Sequence, residues 1–216
     1  MSDQQCNSRF SVASPMVEPA SNPRVNMIFN NSLTAGGSPW RQGPNEVVDE
    51  MWNSIIHEGM IMIDDDKVRK LGKDPTSFRR VPTSLHSKYG DKILAGTEFG
   101  HHIHCLNMIR KFTYFDHYRE KATEFDFYNA PMKLIRVHVD HCIDTLRQVL
   151  MCHPDEGVYL SYWIEGRKGP MADFNTMHKC KDFNGMMDWA EKNEIKESLS
   201  EYPEDGEVVW TRRHHP

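Results

Sequence analysis

Two segments of the sequence share one pattern of histidine, cysteine and arginine. Residues 101–110 read HHIHCLNMIR and residues 138–147 read HVDHCIDTLR. In each segment a histidine is followed three residues later by a second histidine, then at once by a cysteine, and finally by an arginine. From the histidine and cysteine content of this chain, one His-x-x-His-Cys is expected by chance roughly 0.01–0.02 times. Two copies therefore indicate a functional motif.

The two histidines of each motif are the candidate catalytic residues and metal ligands. Residues three and four apart on a helix share one face, so His101 and His104 project together, as do His138 and His141. Two such helices can enclose one ion between four imidazoles, or each pair can anchor one of two ions. Four imidazoles suit copper or zinc, and suit iron or nickel less well. The spacing therefore predicts a transition-metal site.

Four cysteines lie in the part of the chain that is predicted to fold: Cys105, Cys142, Cys152 and Cys180. A bond between Cys105 and Cys142, which the repeat relates, would lock two helices where they cross, and Cys152 would then pair with Cys180. A thiolate could instead join the metal, and buried free thiols are the third interpretation. The disulfide interpretation is favoured over metal ligation.

Several polar residues near the motifs have two interpretations each. His178 is either a further ligand or proton carrier, or a side chain that is satisfied within the fold. Asp140 and Asp144 either accept hydrogen bonds from metal-bound imidazoles or are surface acids. The arginines that close the motifs, Arg110 and Arg147, are predicted to pair with aspartates or to be solvated near the helix ends.

The spacing of apolar residues predicts the helices that must position these side chains. Asn45 and Asp64 are predicted N-caps, and Pro131 suits the first turn of a helix. Residues 76–98 are predicted to be a loop with one brief strand, and residues 120–130 a linker. The periodicity predicts five helices, over residues 46–57, 64–71, 99–118, 131–152 and 183–192.

One shared metal site limits how the two motif helices can pack. Each motif lies towards the N-terminus of its helix, so a plain antiparallel hairpin would leave the motifs roughly 15–20 Å apart. The helices must therefore cross near the motifs or run parallel, and the linker is long enough for either arrangement. We favour the crossing, with a local twofold axis between the motifs.

The predicted helices indicate the fold class, and the composition argues against several functions. The chain is predicted to be mainly α, a compact helical domain around two crossing motif helices with long loops and an irregular N-terminal arm. Residues 1–40 form that flexible or extended arm, 41–197 the catalytic domain, and 198–216 a C-terminal tail. A formal net charge of −5 without Lys/Arg runs argues against nucleic acid as a partner. No run of about 18 apolar residues predicts a membrane span.

The two motifs, together with His178–Asp182 (HKCKD) and the Trp189-Ala190 pair, resemble the UstYa-like (DUF3328) family of fungi over roughly residues 40–192. The resemblance implies a copper-dependent oxidase or oxygenase that tailors a peptide or related secondary metabolite by oxidative cyclisation, desaturation or hydroxylation. It implies molecular oxygen as co-substrate, a small-molecule or peptide substrate, and a homodimer or a heterodimer with a related protein. The family motif residues here are His101, His104, Cys105, His138, His141 and Cys142.

The same resemblance bears on location and on the cysteines. Family members normally carry a membrane anchor ahead of a lumenal domain, so it implies the secretory-pathway lumen or secretion, for a member without an anchor or trimmed of one. That setting favours disulfides. Two alternatives remain for the function. One is a non-redox cyclase, isomerase or lyase that uses the histidines as acid and base groups. The other is a structural zinc protein that binds a partner enzyme.

Overall fold

Helices dominate the structure, a computed structural model that describes residues 12, 14–16, 24–31, 38–124 and 126–199. The predicted mainly α class is confirmed. Most of the predicted arm and nearly all of the predicted tail lie outside the described residues. Seven α-helices occur among the described residues: α1 (Glu46–Asn53), α2 (Asp65–Lys70), α3 (His86–Tyr89), α4 (Glu98–Phe112), α5 (Phe115–Lys121), α6 (Met132–Cys152) and α7 (Phe183–Asn193).

Six short strands accompany the helices and form three two-stranded ribbons, β1 with β6, β2 with β3, and β4 with β5. Strand β1 lies within the segment that was predicted to be an irregular arm. It pairs with a strand more than 140 residues further along, a long-range contact that local patterns do not reveal. The strands are β1 (Arg24–Ile28), β2 (Ile61–Ile63), β3 (Ile93–Ala95), β4 (Leu160–Tyr162), β5 (Met171–Asp173) and β6 (Met177–Lys181).

The described chain divides into two compact units. One unit, called the motif unit below, contains Val25–Ile56 and Glu98–Cys180, and therefore both motifs. The other unit is built from His57–Thr97 together with the described residues up to Arg24 and those that follow Cys180. The candidate metal ligands all belong to the motif unit, so its packing alone positions them.

Helix α1 begins where the sequence predicted and ends earlier. The Asn45 side chain accepts a hydrogen bond from the backbone N–H of Val48 at 3.0 Å, which satisfies one of the free donors of the first turn. The helix stops at Asn53, and the Ser54 hydroxyl donates to the Met51 carbonyl at 2.8 Å. Side-chain bonds of this kind compete with further helical turns, so the predicted continuation to His57 is wrong.

The first motif helix is also shorter than predicted. Residues 99–118 were expected to form one helix, but α4 ends at Phe112 and α5 begins at Phe115. At the break the Thr113 hydroxyl donates to the Arg110 carbonyl at 2.7 Å, and Tyr114 leaves the helical region at φ −119° and ψ 39°. Because of this break, α5 folds back so that Tyr118 joins the core beside α4.

Helix α6 packs against α4 through one buried face. Ile135, Val139 and Cys142 are spaced four and three residues apart and are at most 1 % exposed. They join one hydrophobic cluster with residues from α4, α5 and the linker, and the cluster consists of Cys105, Met108, Tyr118, Tyr128, Ile135, Val139 and Cys142.

Among the described residues, no helix has both the length and the apolar character needed to cross a membrane.

This packing predicts that two nearby positions of α6 contribute very differently to the free energy of unfolding. Ile135 is fully buried, so Ile135→Ala is expected to lower the free energy of unfolding by ~2–4 kcal/mol through lost burial and the cavity left behind. Val137 is 61 % exposed, and Val137→Ala should change it by less than about 0.5 kcal/mol. Urea unfolding followed by circular dichroism measures both. Equal losses would contradict the assigned core face.

The other unit is built on the antiparallel β2–β3 ribbon, and β3 is the brief strand predicted within residues 76–98. Buried His57 lies 2.9 Å from the Glu194 carboxylate through Nε2 and 3.3 Å from the Thr97 hydroxyl through Nδ1. Gly59 is required beside this pair, because a Cβ at that position would lie 1.7 Å from a carboxylate oxygen of Glu194. The backbone at Gly59 therefore packs directly against the Glu194 carboxylate, which a residue with a Cβ would prevent.

Candidate metal centre

Helices α4 and α6 bring the two motifs together. His101 Nε2 lies 3.4 Å from His141 Nε2, and the rings of these residues are tilted by 31° with centroids 5.5 Å apart. The rings of His104 and His138 form a second pair, tilted by 26° with centroids 5.8 Å apart. The four predicted ligands thus form two similar imidazole pairs, each with one member from each helix.

The two pairs are equivalent in the repeated motif. Exchanging His101 for His138 and His104 for His141 turns one pair of residues into the other. The order of the contacts also shows that the helices run in opposite directions where they meet. The helices are therefore offset along their axes so that both motifs lie at the contact, as a shared site requires, and the crossing with its twofold axis stays a prediction.

The motif cysteines are buried in the core where the two helices pack. Cys105 and Cys142 are both 0 % exposed, and their side chains are hydrogen-bonded to each other. Cys105 Sγ also lies 3.7 Å from His101 Nε2. The structure has Cys105, Cys142, Cys152 and Cys180 as free thiols, so it does not show the predicted disulfides. The two motif thiols are instead placed at the centre of the histidine cluster.

One set of donors is compact enough to hold an ion. A nitrogen of His101, a nitrogen of His141 and the sulfur of Cys105 all lie within 4.8 Å of one another. Two imidazoles and a thiolate are ligands that copper and zinc accept, and a trigonal His₂Cys arrangement is typical of copper. Among the described residues, the equivalent positions of the repeat (His104, His138 and Cys142) do not form a second set this compact. The residues present therefore fit a transition metal by their chemistry.

At two side chains of the cluster, His138 and Cys142, the surroundings favour the neutral form. Burial lowers the pKa of His138, and the neighbouring imidazoles of His104, His141 and His101 lower it further. Burial raises the pKa of the Cys142 thiol to about 12, with a contribution from its hydrogen bond to Cys105. Neutral imidazole is the form that binds metal, and a bound cation would supply the positive charge that a thiolate needs.

The cluster is open on one side. His141 is exposed, whereas His104 and His138 are partly buried and the edge of the Phe127 ring covers His138 at a centroid distance of 4.9 Å. A substrate can therefore approach from the side of His141. Phe127 lies in the segment predicted as a linker, and no sequence pattern indicated its position beside a candidate ligand.

The two aspartates of the second motif are engaged on the helix surface. Asp140 forms an ion pair with Arg136 at 2.6 Å. Asp144 accepts hydrogen bonds from Arg147 and Gln148, each at 2.8 Å, and these bonds lower the pKa of its carboxyl group. The structure therefore agrees with the surface interpretation of both acids, and Arg147 forms the predicted ion pair with an aspartate.

The arginine of the first motif is in a different environment. Arg110 pairs with Asp49 of α1 and donates to Asn107 Oδ1 at 2.8 Å, and its side chain is only 11 % exposed. The Tyr118 hydroxyl donates to the same Asp49 oxygen at 2.8 Å. Burial opposes ionisation of Asp49, but the hydrogen bonds from Arg110 and Tyr118 outweigh it and lower its pKa. Asp49 and Tyr118 carried no functional signal in the sequence.

His178 lies apart from the described histidine cluster. Its Nδ1 is 2.6 Å from Asp155 Oδ2, and its Nε2 is 2.9 Å from Thr176 Oγ1. The ring stacks on Phe29 at a centroid distance of 3.7 Å. Both nitrogens are thus occupied by hydrogen-bond partners, in agreement with the interpretation of His178 as a side chain satisfied within the fold.

The burial of the motif thiols predicts their reactivity. In metal-free protein, exposed Cys152 is expected to react with iodoacetamide at least about tenfold faster than Cys105 or Cys142, because both motif thiols are fully buried. Timed labelling without reductant, followed by peptide mass mapping, measures the rates. A Cys105–Cys142 disulfide would show as labelling only after reduction, and labelling of Cys105 as fast as that of Cys152 would contradict the burial.

The mainly α fold and the paired motifs define a protein with a candidate transition-metal site between two antiparallel helices. Comparison with protein families shows its family. The family described as "Mycotoxin biosynthesis protein UstYa" matches residues 1–193. The chain therefore belongs to the UstYa family, as its motifs predicted.

The relatives that match differ in the activity their names give. "UstYa family oxidase phomYc" of Diaporthe leptostromiformis is 34 % identical over 74 % of this chain and 60 % of its own length. "UstYa family oxidase aprY" of Aspergillus flavus is 27 % identical over 84 % and 55 %. "Transacylase cctO" of Talaromyces islandicus is 29 % identical over 68 % and 49 %. The chain thus spans about half to three fifths of these relatives. No solved structure matches it.

Proposed function

We propose that this protein is a copper-dependent oxidase or oxygenase that tailors a peptide or related fungal secondary metabolite. The observation that carries the proposal is the convergence of both motifs into one cluster of imidazole and thiol donors. Two relatives are named oxidases of the same family, which supports oxidation as the reaction. The reaction would be an oxidative cyclisation, desaturation or hydroxylation, with molecular oxygen as co-substrate.

The chain would hold the metal through its motif side chains. His101 and His141 with Cys105 form one donor set, and His104 and His138 would add the second imidazole pair. Copper bound there would supply one-electron chemistry with oxygen. The hydrophobic cluster behind the histidines would keep water from one side of the site and fix both helices.

The substrate would approach the open side of the cluster along α6. Leu134 and Val137 are 58 % and 61 % exposed, and with His141 they follow one another at spacings of three and four residues, on one face of the helix. An apolar strip that leads to a candidate ligand suits a hydrophobic side chain or ring of a peptide or metabolite. The protein's part would be to orient the reacting C–H or N–H bond towards the metal.

The thiols and the location belong to the same proposal. The protein would act in the lumen of the secretory pathway or outside the cell, as the family resemblance implies. It would work alone or as a dimer with a second copy or a related protein. The placement of Cys105 beside two imidazoles supports metal ligation by this thiol more than a disulfide. Iron and zinc are less suitable than copper for the proposed oxidation.

Metal content and oxygen chemistry test the proposal together. Protein purified without a metal-affinity step is analysed for metals, and oxygen uptake is then measured with ascorbate as the electron donor, before and after chelation. Bound copper and oxygen uptake that disappears with the chelator are expected. Zinc as the only metal, with no oxygen uptake after reloading with copper, would overturn the proposal in favour of a structural zinc protein.

A non-redox reaction is the second candidate. One relative is named a transacylase, a group transfer that does not change oxidation level. Partly buried imidazoles with a lowered pKa, such as His138, can act as general bases near neutral pH. If metal-free protein converts a biosynthetic intermediate at equal rates with and without oxygen, the result would favour this cyclase, isomerase, lyase or transferase function.

A further inference from the structure

A connected series of aromatic rings begins at the candidate metal centre. The His138 imidazole meets Phe127 at a centroid distance of 4.9 Å, and Phe127 meets Tyr128 at 5.7 Å. Tyr128 in turn lies 5.7 Å from Tyr118. Both tyrosines are more than 90 % buried in the cluster that also contains the two motif cysteines. Neither tyrosine has a role in the proposed oxidation.

The series continues from Tyr118 to two tryptophans. The Arg110 guanidinium lies 5.7 Å from the ring centre of Tyr118 and 5.5 Å from that of Trp52. Trp52 meets Trp40 edge-on at a centroid distance of 5.6 Å, and its Nε1 donates to the Trp40 carbonyl at 3.2 Å. Tyrosine and tryptophan are the side chains whose rings lose one electron most readily. Successive contacts of this length therefore form a path for electron transfer.

Tyr118 differs from the other rings of the series because it has a proton acceptor. Its hydroxyl donates to Asp49 Oδ1 at 2.8 Å, within the range for direct proton transfer. The Tyr128 hydroxyl donates to the Met108 carbonyl at 3.1 Å, which cannot accept a proton. An oxidised phenol is a strong acid and becomes a stable neutral radical only when its proton leaves. Of these two tyrosines, only Tyr118 donates to a group that can accept its proton.

We propose that Tyr118 is a redox-active tyrosine, with Asp49 as its proton acceptor, that receives oxidising equivalents from the candidate metal centre by way of Tyr128. In the step, one electron leaves Tyr118 and reduces the oxidised centre. The phenolic O–H bond breaks, the proton moves to Asp49 Oδ1, and a neutral tyrosyl radical remains. A one-electron donor of the ascorbate or thiol class returns the electron, and the proton then returns from Asp49.

Electron transfer from Tyr118 would reduce an oxidised metal centre to which no substrate is bound. Without it, an oxidant at the candidate metal centre would attack the motif imidazoles or the buried thiols beside them. Trp52 and Trp40 extend the path away from the centre. The identity of the oxidant rests on the proposed function, whereas the pairing of Tyr118 with Asp49 does not.

The pairing is tested first in metal-free protein with an external oxidant, a photogenerated ruthenium(III) polypyridyl complex. Freeze-quenched samples are examined by electron paramagnetic resonance. A tyrosyl signal is expected in the wild-type protein, with most of it lost in Tyr118→Phe and retained in Tyr159→Phe, which removes a tyrosine that is 62 % exposed. The Tyr118 radical should also form more slowly in D₂O, because its proton moves in the same step.

The same variants are then loaded with copper and exposed to oxygen and ascorbate without substrate. Both Tyr118→Phe and Tyr128→Phe are expected to lose oxygen uptake sooner than the wild-type protein, with oxidised histidine and cysteine found by mass spectrometry. An equal radical signal in wild type and Tyr118→Phe would overturn the proposal. A signal that depends on Tyr118 with ruthenium, together with no oxygen uptake by the copper-loaded protein, would support the redox tyrosine and reject the oxidase function.

Discussion

His101→Ala is expected to weaken copper binding by more than about 100-fold and to abolish oxygen uptake, whereas His102→Ala leaves both within about threefold of wild type. His101 lies 3.4 Å from His141 and 3.7 Å from Cys105 Sγ, so its loss removes a donor from the compact set. His102 is the adjacent residue of the same helix, and it pairs with Glu98 at 3.4 Å. Competition titration against a copper chelator measures both affinities.

Double variants extend this test to the number of metal ions. If the two imidazole pairs hold separate ions, His101→Ala with His141→Ala removes one whole pair and should leave half of the wild-type copper. His101→Ala with His138→Ala removes one member of each pair and should leave almost none. If one ion is shared, the two double variants lose copper equally. Copper retained in full by every one of these variants would show that the cluster is not the metal site.

The sequence predicted the features that depend on neighbouring residues. Asn45 caps α1 because its side chain reaches the N–H of a residue three positions later, which any chain with that local order can do. The helical spacing of the motif histidines is local in the same way.

Contacts between distant residues were not predictable in this way. Arg110 had 31 acidic residues as possible partners, and only the fold selects Asp49, 61 positions away. Tyr128 lies in a polar and aromatic stretch that was predicted as a linker, although its ring is buried beside the motif cysteines. The break at Thr113 was missed because a single threonine is compatible with a helix unless its hydroxyl takes a backbone acceptor.

The two arginines of the repeated motif are expected to differ strongly in their effect on stability. Arg110→Met is predicted to lower the free energy of unfolding by ~2–4 kcal/mol, because it leaves Asp49 partly buried without its positive partner. Arg147→Met, at the equivalent position, should change it by less than about 0.5 kcal/mol. There both partners are more than half exposed, and water screens the pair. Urea unfolding at neutral pH gives both values.

The pH dependence of the difference identifies its cause. The pKa of Asp49 is lowered in the folded protein, so the folded state binds fewer protons than the unfolded state, and its contribution is fully present above the ordinary pKa of about 3.9. As the pH falls below that value, Asp49 becomes protonated and the advantage of the wild-type protein over Arg110→Met should shrink. A difference that stays constant down to acid pH would mean that Arg110 stabilises the fold by packing on Trp52 and Tyr118, with no contribution from its charge.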